Sequence, residues 1–298
     1  MALELMTKRN YETPAPSASV VLLRDGPGDL EVFLLRRHSQ SFVLGGAYVF
    51  PGGKVDPEDA HWVQRLDRDP QELHALLAEP ELAAAAAAGL YVTALRELFE
   101  EAGLLLADVP PAQVGQLWAA LRGGRRFDEL LAPLPLRLCA GALQPWSRWI
   151  TPTLSSVGRR RFDTRFFLAT VPPGQEATHD EHEATESAWM APRAALRQYW
   201  DNRIDLAPPQ IMSLTHLARH RSVASVFAAA RSGRPPCIQP EPRDVEGTRV
   251  LCYPGDPWHS EGAQRLPGPT RLSWRNGRFE PDAGLAILLG EENEGPPA

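Results

Sequence analysis

A chain of 298 residues can bury a sizeable core, and 43% hydrophobic with 23% charged residues is ordinary for a globular protein, which excludes disordered, collagen-like and coiled-coil readings. A formal net charge of −6 argues against a dedicated nucleic-acid binder, but a few local arginines suffice for a small phosphate-bearing ligand. Cys139, Cys237 and Cys252 are odd in number and lack CxxC spacing, which fits reduced thiols. Residues 1–16 have no apolar signal core, no stretch approaches the ~18 apolar residues of a membrane span, and the last residues are not a peroxisomal tripeptide. A cytoplasmic protein is expected, with no membrane and no nucleic-acid partner.

In chain order, residues 18–23 and 30–36 are apolar, β-prone runs around the turn signal Asp25-Gly26-Pro27-Gly28-Asp29. A third extended stretch, 47–50, runs into Pro51-Gly52-Gly53, where glycine permits a tight turn and close backbone approach. Residues 61–81 read as helical but are cut by Pro70 and Pro80. Helix resumes through the alanines and runs to about Ala102, with Gly103 as its left-handed cap. A short helix is expected over 113–121, and strands over 136–143, 165–171 and 186–190. A helix follows Pro192 through Tyr199, and a longer one spans 209–231. Beyond Pro235 the chain is Pro- and Gly-rich and reads as irregular, apart from a hairpin over 271–279 turned by Asn276-Gly277.

The segment Arg96-Glu97-Leu98-Phe99-Glu100-Glu101-Ala102-Gly103-Leu104 carries the chemistry. At about 100° per residue, Glu97, Glu100 and Glu101 share one helix arc while Leu95, Leu98, Phe99 and Ala102 share another. Carboxylates at i, i+3 and i+4 repel one another, and a hard divalent cation relieves that repulsion. By themselves they read more readily as a solvated acidic face, which is common. His179 and His182 lack a Cys or His partner at zinc-ligand spacing. Ser155 and Ser156 lack the glycine pattern of a nucleophile elbow.

Together with the upstream Phe50-Pro51-Gly52-Gly53-Lys54-Val55-Asp56-Pro57-Glu58-Asp59, this segment resembles the Nudix box. That pattern is a glycine, five residues, a glutamate, seven residues, then Arg-Glu-aliphatic-any-Glu-Glu-any-Gly-aliphatic. Two departures stand out: Asp59 replaces the usual glutamate, and 36 residues (60–95) separate it from Arg96. The enlarged box is similar to that of the branch containing the mammalian peroxisomal coenzyme A diphosphatase. Further matches are Leu34-Leu35-Arg36-Arg37-His38-Ser39, Trp149-Ile150-Thr151-Pro152, Arg161-Phe162-Asp163-Thr164-Arg165-Phe166-Phe167-Leu168, and Glu183, Glu186, Trp189 and Pro192.

The resemblance implies an α/β fold: an α/β/α sandwich with a mixed sheet, a helical insertion and a C-terminal helical or irregular extension. The expected organisation is a Nudix hydrolase domain over 14–200, interrupted by an insertion at 60–92, with an extension over 201–298 packed on the core. It implies a Mg²⁺- or Mn²⁺-dependent pyrophosphohydrolase with Glu97, Glu100, Glu101, Arg96 and Glu183 as its catalytic residues. Metal would be held by the three helix glutamates and at Gly53, and substrate by Arg36, Arg37, Arg165 and Gly52. Coenzyme A or acyl-coenzyme A is the preferred substrate, giving a 4′-phosphopantetheine product and adenosine 3′,5′-bisphosphate. ADP-ribose, NADH or a nucleoside-diphosphate sugar is the alternative, and a non-catalytic ligand-binding module on the same fold is the alternative of another class. A homodimer is compatible with the family.

Overall fold

The computed structural model describes residues 9–38, 45–154, 160–180 and 184–291. Its frame begins with two apolar runs that bury on both sides. β1 (Ala15–Asp25) turns Ala18, Val20 and Leu22 to one face and Val21 and Leu23 to the other. β2 (Leu30–Arg37) divides likewise into Phe33 and Leu35 against Val32 and Leu34. A sheet covered on both faces needs apolar residues at successive positions, which is why these strands read as unbroken apolar runs.

Seven further strands complete the mixed sheet: β3 (Ala47–Val49), β4 (Gly52–Lys54), β5 (Gln144–Ile150), β6 (Phe162–Thr170), β7 (Ala184–Met190), β8 (Asp205–Leu206) and β9 (Cys237–Ile238). The main path is β8-β3-β2-β1-β6-β5-β9, with β4 beside β1 and β7 beside β2. β1 pairs parallel with β6, and one register line runs Gly53, Ala18, Arg165, Arg148, Cys237 across five strands.

Four helices cover one face: α1 (Pro70–Leu77), α2 (Ala84–Ala102), α3 (Pro111–Arg122) and α4 (Phe127–Leu131). Their apolar side chains share a core with Ala18, Val20, Phe167 and Ala169, and Tyr91 of α2 packs on Phe167. The opposite face holds α5 (Pro192–Trp200), α6 (Pro208–Leu217), α7 (Val223–Arg231) and α8 (Leu285–Leu289). A second sheet joins that layer, in the order β10 (Glu241–Val245), β11 (Thr248–Cys252), β12 (Arg271–Arg275), β13 (Arg278–Glu280). The α/β/α layering around a mixed sheet is therefore present. Among the described residues, no helix is long and apolar enough to cross a membrane.

Several elements differ from expectation, each for a local reason. Residues 61–81 are not one helix: Pro57–Arg65 is a 3-10 turn, and α1 starts afresh at an Asp69 cap with Pro70 in its first turn. α2, by contrast, runs through the alanines from Ala84 to Ala102 and carries Arg96, as expected. No strand spans 136–143; Leu138 makes only single bridges to Leu66 and Ala107, and the strand starts at Gln144. The helix expected over 209–231 is two, because the Ser222 side chain caps α7 by accepting from the Ser225 N–H. The chain beyond 235 is not irregular, since it forms β10–β13. The β12–β13 hairpin does turn at Asn276-Gly277, both at positive φ (53° and 77°).

One side chain joins this second sheet to the layer beneath it. The buried Tyr199 hydroxyl donates to the Phe279 carbonyl at 2.8 Å and accepts from the Phe279 N–H at 2.9 Å. Tyr199→Phe leaves both backbone groups unsatisfied and is expected to cost about 1–3 kcal/mol in urea unfolding, with a single transition. An unchanged midpoint would contradict this account of how the extension is held.

Candidate active site

α2 is apolar on the side facing the sheet and acidic beyond its middle. Leu95, Leu98, Phe99 and Ala102 are fully buried, while Glu97 and Glu100 lie toward solvent at 13% and 32% side-chain exposure. Gly103, at φ 69°, ends the helix by donating its N–H to the Phe99 carbonyl. Because β4 lies directly under this last stretch, the glycine pair and the glutamates meet. The Gly52 N–H donates to Glu101 Oε2 at 2.8 Å, and Glu101 is only 7% exposed. A Cβ on Gly53 would collide with the Glu97 carboxylate, and one on Gly52 with the Ala18 carbonyl and the Ser19 side chain. Gly52 thus requires glycine, because backbone stands against it, while a side chain at Gly53 would displace the Glu97 carboxylate.

Arg96 organises the remaining charge. Its Nε donates to Asp59 Oδ1 at 2.8 Å and its Nη2 to Asp59 Oδ2 at 3.1 Å, a two-point pair. Nη1 donates to Glu97 at 2.8 Å and Glu100 at 2.9 Å, and Nη2 also reaches the Lys54 carbonyl at 3.0 Å. Burial works against the guanidinium charge, but hydrogen bonding to Asp59 and the attraction of Glu97, Asp59 and Glu100 outweigh it and raise the pKa above its ordinary value. Asp59 is 1% exposed and accepts further from the Asp56 N–H and the Thr93 hydroxyl. The shorter side chain at this position therefore still spans to Arg96, because the 3-10 turn that begins at Pro57 carries it inward.

Glu97, Glu100, Glu101, Arg96, Gly52 and Gly53 are thus brought together. Among the described residues, however, no three acidic side chains already form a ligand shell: Arg96 holds Glu97 and Glu100, and Gly52 holds Glu101. Arg36 lies elsewhere. It follows Val32 and Leu34 onto the opposite face and pairs with Glu186 at 3.4 Å. That pair neighbours Tyr48, whose pKa is pushed up to about 12 by burial and then by the hydrogen bond to Glu186. Arg37 ends β2. Glu183 lies outside the described residues.

Arg165 is on the carboxylate face but 4% exposed, and its guanidinium is engaged by Glu79 and Asp163. Sequence reasoning did not single out Arg148 and Glu79, which belong to the same cluster. No local pattern marks either residue: Ser147-Arg148 lies between Trp146 and Trp149 without alternating with them, and Glu79 stands in a connection.

Residues 5–217 match the family model described as NUDT19 Nudix domain. The chain is similar to the chicken protein named acyl-coenzyme A diphosphatase NUDT19, with 33% identity over 66% of this chain and 64% of that protein. It is 28% identical to the Xenopus laevis protein of the same name, over 65% of this chain and 61% of that one. The chain thus spans less than two thirds of the length of these relatives. A crystal structure of a Nudix hydrolase from Alicyclobacillus acidocaldarius superposes with a TM-score of 0.58 at 27% identity, covering 73% of this chain and 97% of that one.

The Asp59–Arg96 pair gives a direct test. Asp59→Asn keeps the shape but strips a buried guanidinium of its main partner, and is expected to cost about 3 kcal/mol in urea unfolding. A loss under about 1 kcal/mol, the range of an exposed pair, would show that the contact does not organise the site.

Proposed function

The chain belongs to the Nudix family, in the branch described by the NUDT19 Nudix domain, and on that premise we propose that it is a metal-dependent pyrophosphohydrolase of nucleoside-diphosphate derivatives. Coenzyme A or an acyl-coenzyme A is the proposed substrate. The observation that carries the reading is the meeting of Glu97, Glu100 and Glu101 with the Gly52-Gly53 backbone around a single arginine. The name shared by the chicken and frog relatives supports the substrate class.

The residues fit a divalent cation. Carboxylate oxygens are the donors that Mg²⁺ and Mn²⁺ prefer, and the missing Cβ at Gly53 lets the backbone come as close as Glu97 does. Glu97 and Glu101 are the first ligands in this reading, with Glu100 beside them and the Gly53 backbone adjoining. A bound cation would neutralise the phosphoryl oxygens and lower the pKa of water. Arg96 would orient Glu97 and Glu100 while it stays anchored on Asp59. In the reaction, water oxygen bonds to one phosphorus and the bridging P–O bond breaks. The bridging oxygen leaves on the second phosphate, and a helix carboxylate takes the proton of the attacking water. From coenzyme A, the products are 4′-phosphopantetheine and adenosine 3′,5′-bisphosphate.

All three cysteines are free thiols, which supports a reducing compartment such as the cytoplasm. Assembly as a homodimer belongs to this reading by family analogy alone.

The test is hydrolysis by the purified protein of coenzyme A, acetyl-coenzyme A, ADP-ribose, NADH and a nucleoside-diphosphate sugar, with Mg²⁺, Mn²⁺ or EDTA. Cleavage of the coenzyme A pair is expected, abolished by EDTA. Glu101→Gln should lower kcat by more than about 100-fold, beyond the usual effect of an outer-shell partner. Preference for ADP-ribose or NADH would overturn the substrate. Ligand binding without turnover would favour a non-catalytic module.

A further inference from the structure

The carboxylate face of the sheet has a second charged centre. Arg148 and Arg165 sit opposite each other in the β5–β6 register, and both reach the same two carboxylates. Asp163 accepts from Arg148 Nε and Nη2 at 2.8 and 2.7 Å, and pairs with Arg165 at 2.9 Å. Glu79 Oε2 lies 2.9 Å from Arg148 Nη1 and 2.5 Å from Arg165 Nη2, and Arg165 Nε donates to its other oxygen at 3.0 Å. Hydrogen bonding to Asp163 is the first reason that the Arg148 pKa is raised above its ordinary value.

These four side chains line a cavity of about 540 Å³. Its rim comes from three separate parts of the chain: Pro16 at the start of β1, Leu77–Leu82 between α1 and α2, and Pro235 with Cys237 after α7. The two acids differ in how they are held. Asp163 belongs to β6, within the sheet, whereas Glu79 sits in the connection between α1 and α2, next to Ala78 in a left-handed conformation. Glu79 is thus held by a turn between two helices, whereas Asp163 is held by strands paired on both sides.

The position relative to the glutamates is set by the register. Gly53, Ala18 and Arg165 lie on adjacent strands, so Arg165 is two strand spacings, roughly 10 Å, from the backbone under Glu97. That is the scale on which a nucleotide places a ribose phosphate away from its diphosphate. The register line runs on to Arg148 in the next strand.

We propose that Arg148 and Arg165 form the seat for a phosphomonoester carried by the substrate in addition to its diphosphate, and that Glu79 closes this seat until substrate replaces it. The proposal rests on the pyrophosphohydrolase reading and specifies which nucleoside diphosphates are preferred. A phosphomonoester near pH 7 carries almost two charges and three acceptor oxygens, against one charge and two oxygens for Glu79. Two forked guanidiniums thus gain by the exchange, while Asp163 stays in place and keeps the pair aligned. Recognition here selects by the extra phosphate and is indifferent to the acyl or sugar group on the far side of the diphosphate.

The experiment compares coenzyme A with dephospho-coenzyme A as substrates of the wild type, Glu79→Gln and Arg148→Gln. It also measures binding of adenosine 3′,5′-bisphosphate and AMP to the same proteins by calorimetry in EDTA. The wild type should favour coenzyme A in kcat/KM. Arg148→Gln should shrink that ratio about 10-fold, as expected for the loss of a hydrogen bond to a charged group. Glu79→Gln should enlarge it, chiefly through a lower KM for coenzyme A, and should tighten the bisphosphate more than AMP. If Arg148→Gln does not fold, Arg148→Lys serves, because it keeps the charge and loses the fork. Ratios unchanged in every variant, with equal affinity for bisphosphate and AMP, would overturn the proposal. Absence of turnover with either substrate would count against the hydrolase reading, while the calorimetry would still decide whether the seat exists.

Discussion

The structure depends on one guanidinium. Arg96 sits at the point where the two halves of the motif come back together, and Asp59 is the last motif residue before the intervening chain leaves. Closing 36 residues instead of seven adds only about 1.5 kcal/mol of loop entropy. Breaking a buried ion pair typically costs 3–5 kcal/mol, so the pair outweighs the detour. The same guanidinium then spends its remaining donors on Glu97, Glu100 and the Lys54 carbonyl. Without it, three carboxylates on one helix face would repel one another with no guanidinium between them. With it, Glu97 and Glu100 are tied to one cation beside the glycine strand β4, whose Gly52 N–H holds Glu101.

The rest of the fold follows from what that junction must hold. Chain that leaves after Asp59 packs α1 against α2 and supplies Glu79 to the arginines of β5 and β6. Chain that follows the core covers the opposite face, yet β9 returns to the main sheet beside β5 and brings Cys237 to the same cavity. Insertion and extension are far apart in sequence and lie on opposite layers. They nevertheless share one rim, on the side of the sheet where the glutamates stand. Specificity can therefore be built from the two additions, while the junction at Arg96 is left unaltered.

What was legible in the sequence was what local pattern encodes. The phase of Glu97, Glu100 and Glu101 against Leu98, Phe99 and Ala102 gave the buried and charged sides of α2, and Gly103 its end. Asn276-Gly277 gave the hairpin, because only residues tolerant of positive φ serve there. Illegible features were decided by partners remote in the chain. Leu138 joins Leu66 and Ala107 singly and so never extends into a strand. The break between α6 and α7 is fixed by the Ser222 cap and by Arg219, which donates to carbonyls of Thr215, Ile287 and Leu288. Arg36 and Arg37 were both offered as phosphate holders, but the two-residue period of β2 puts Arg36 on the face of Val32 and Leu34, away from the glutamates. Asp59 looked like a weakened substitute for glutamate, and only the 3-10 turn shows how it reaches its partner.

The carboxylates gathered around Arg96 are proposed to form a divalent-cation site. Anomalous diffraction from crystals of the protein soaked in Mn²⁺ tests it most directly. The account predicts anomalous density bound by Glu97 and Glu101 beside the Gly53 backbone, with Arg96 still paired to Asp59. Manganese bound only elsewhere, or no anomalous density at Glu97 and Glu101 at saturating Mn²⁺, would contradict it.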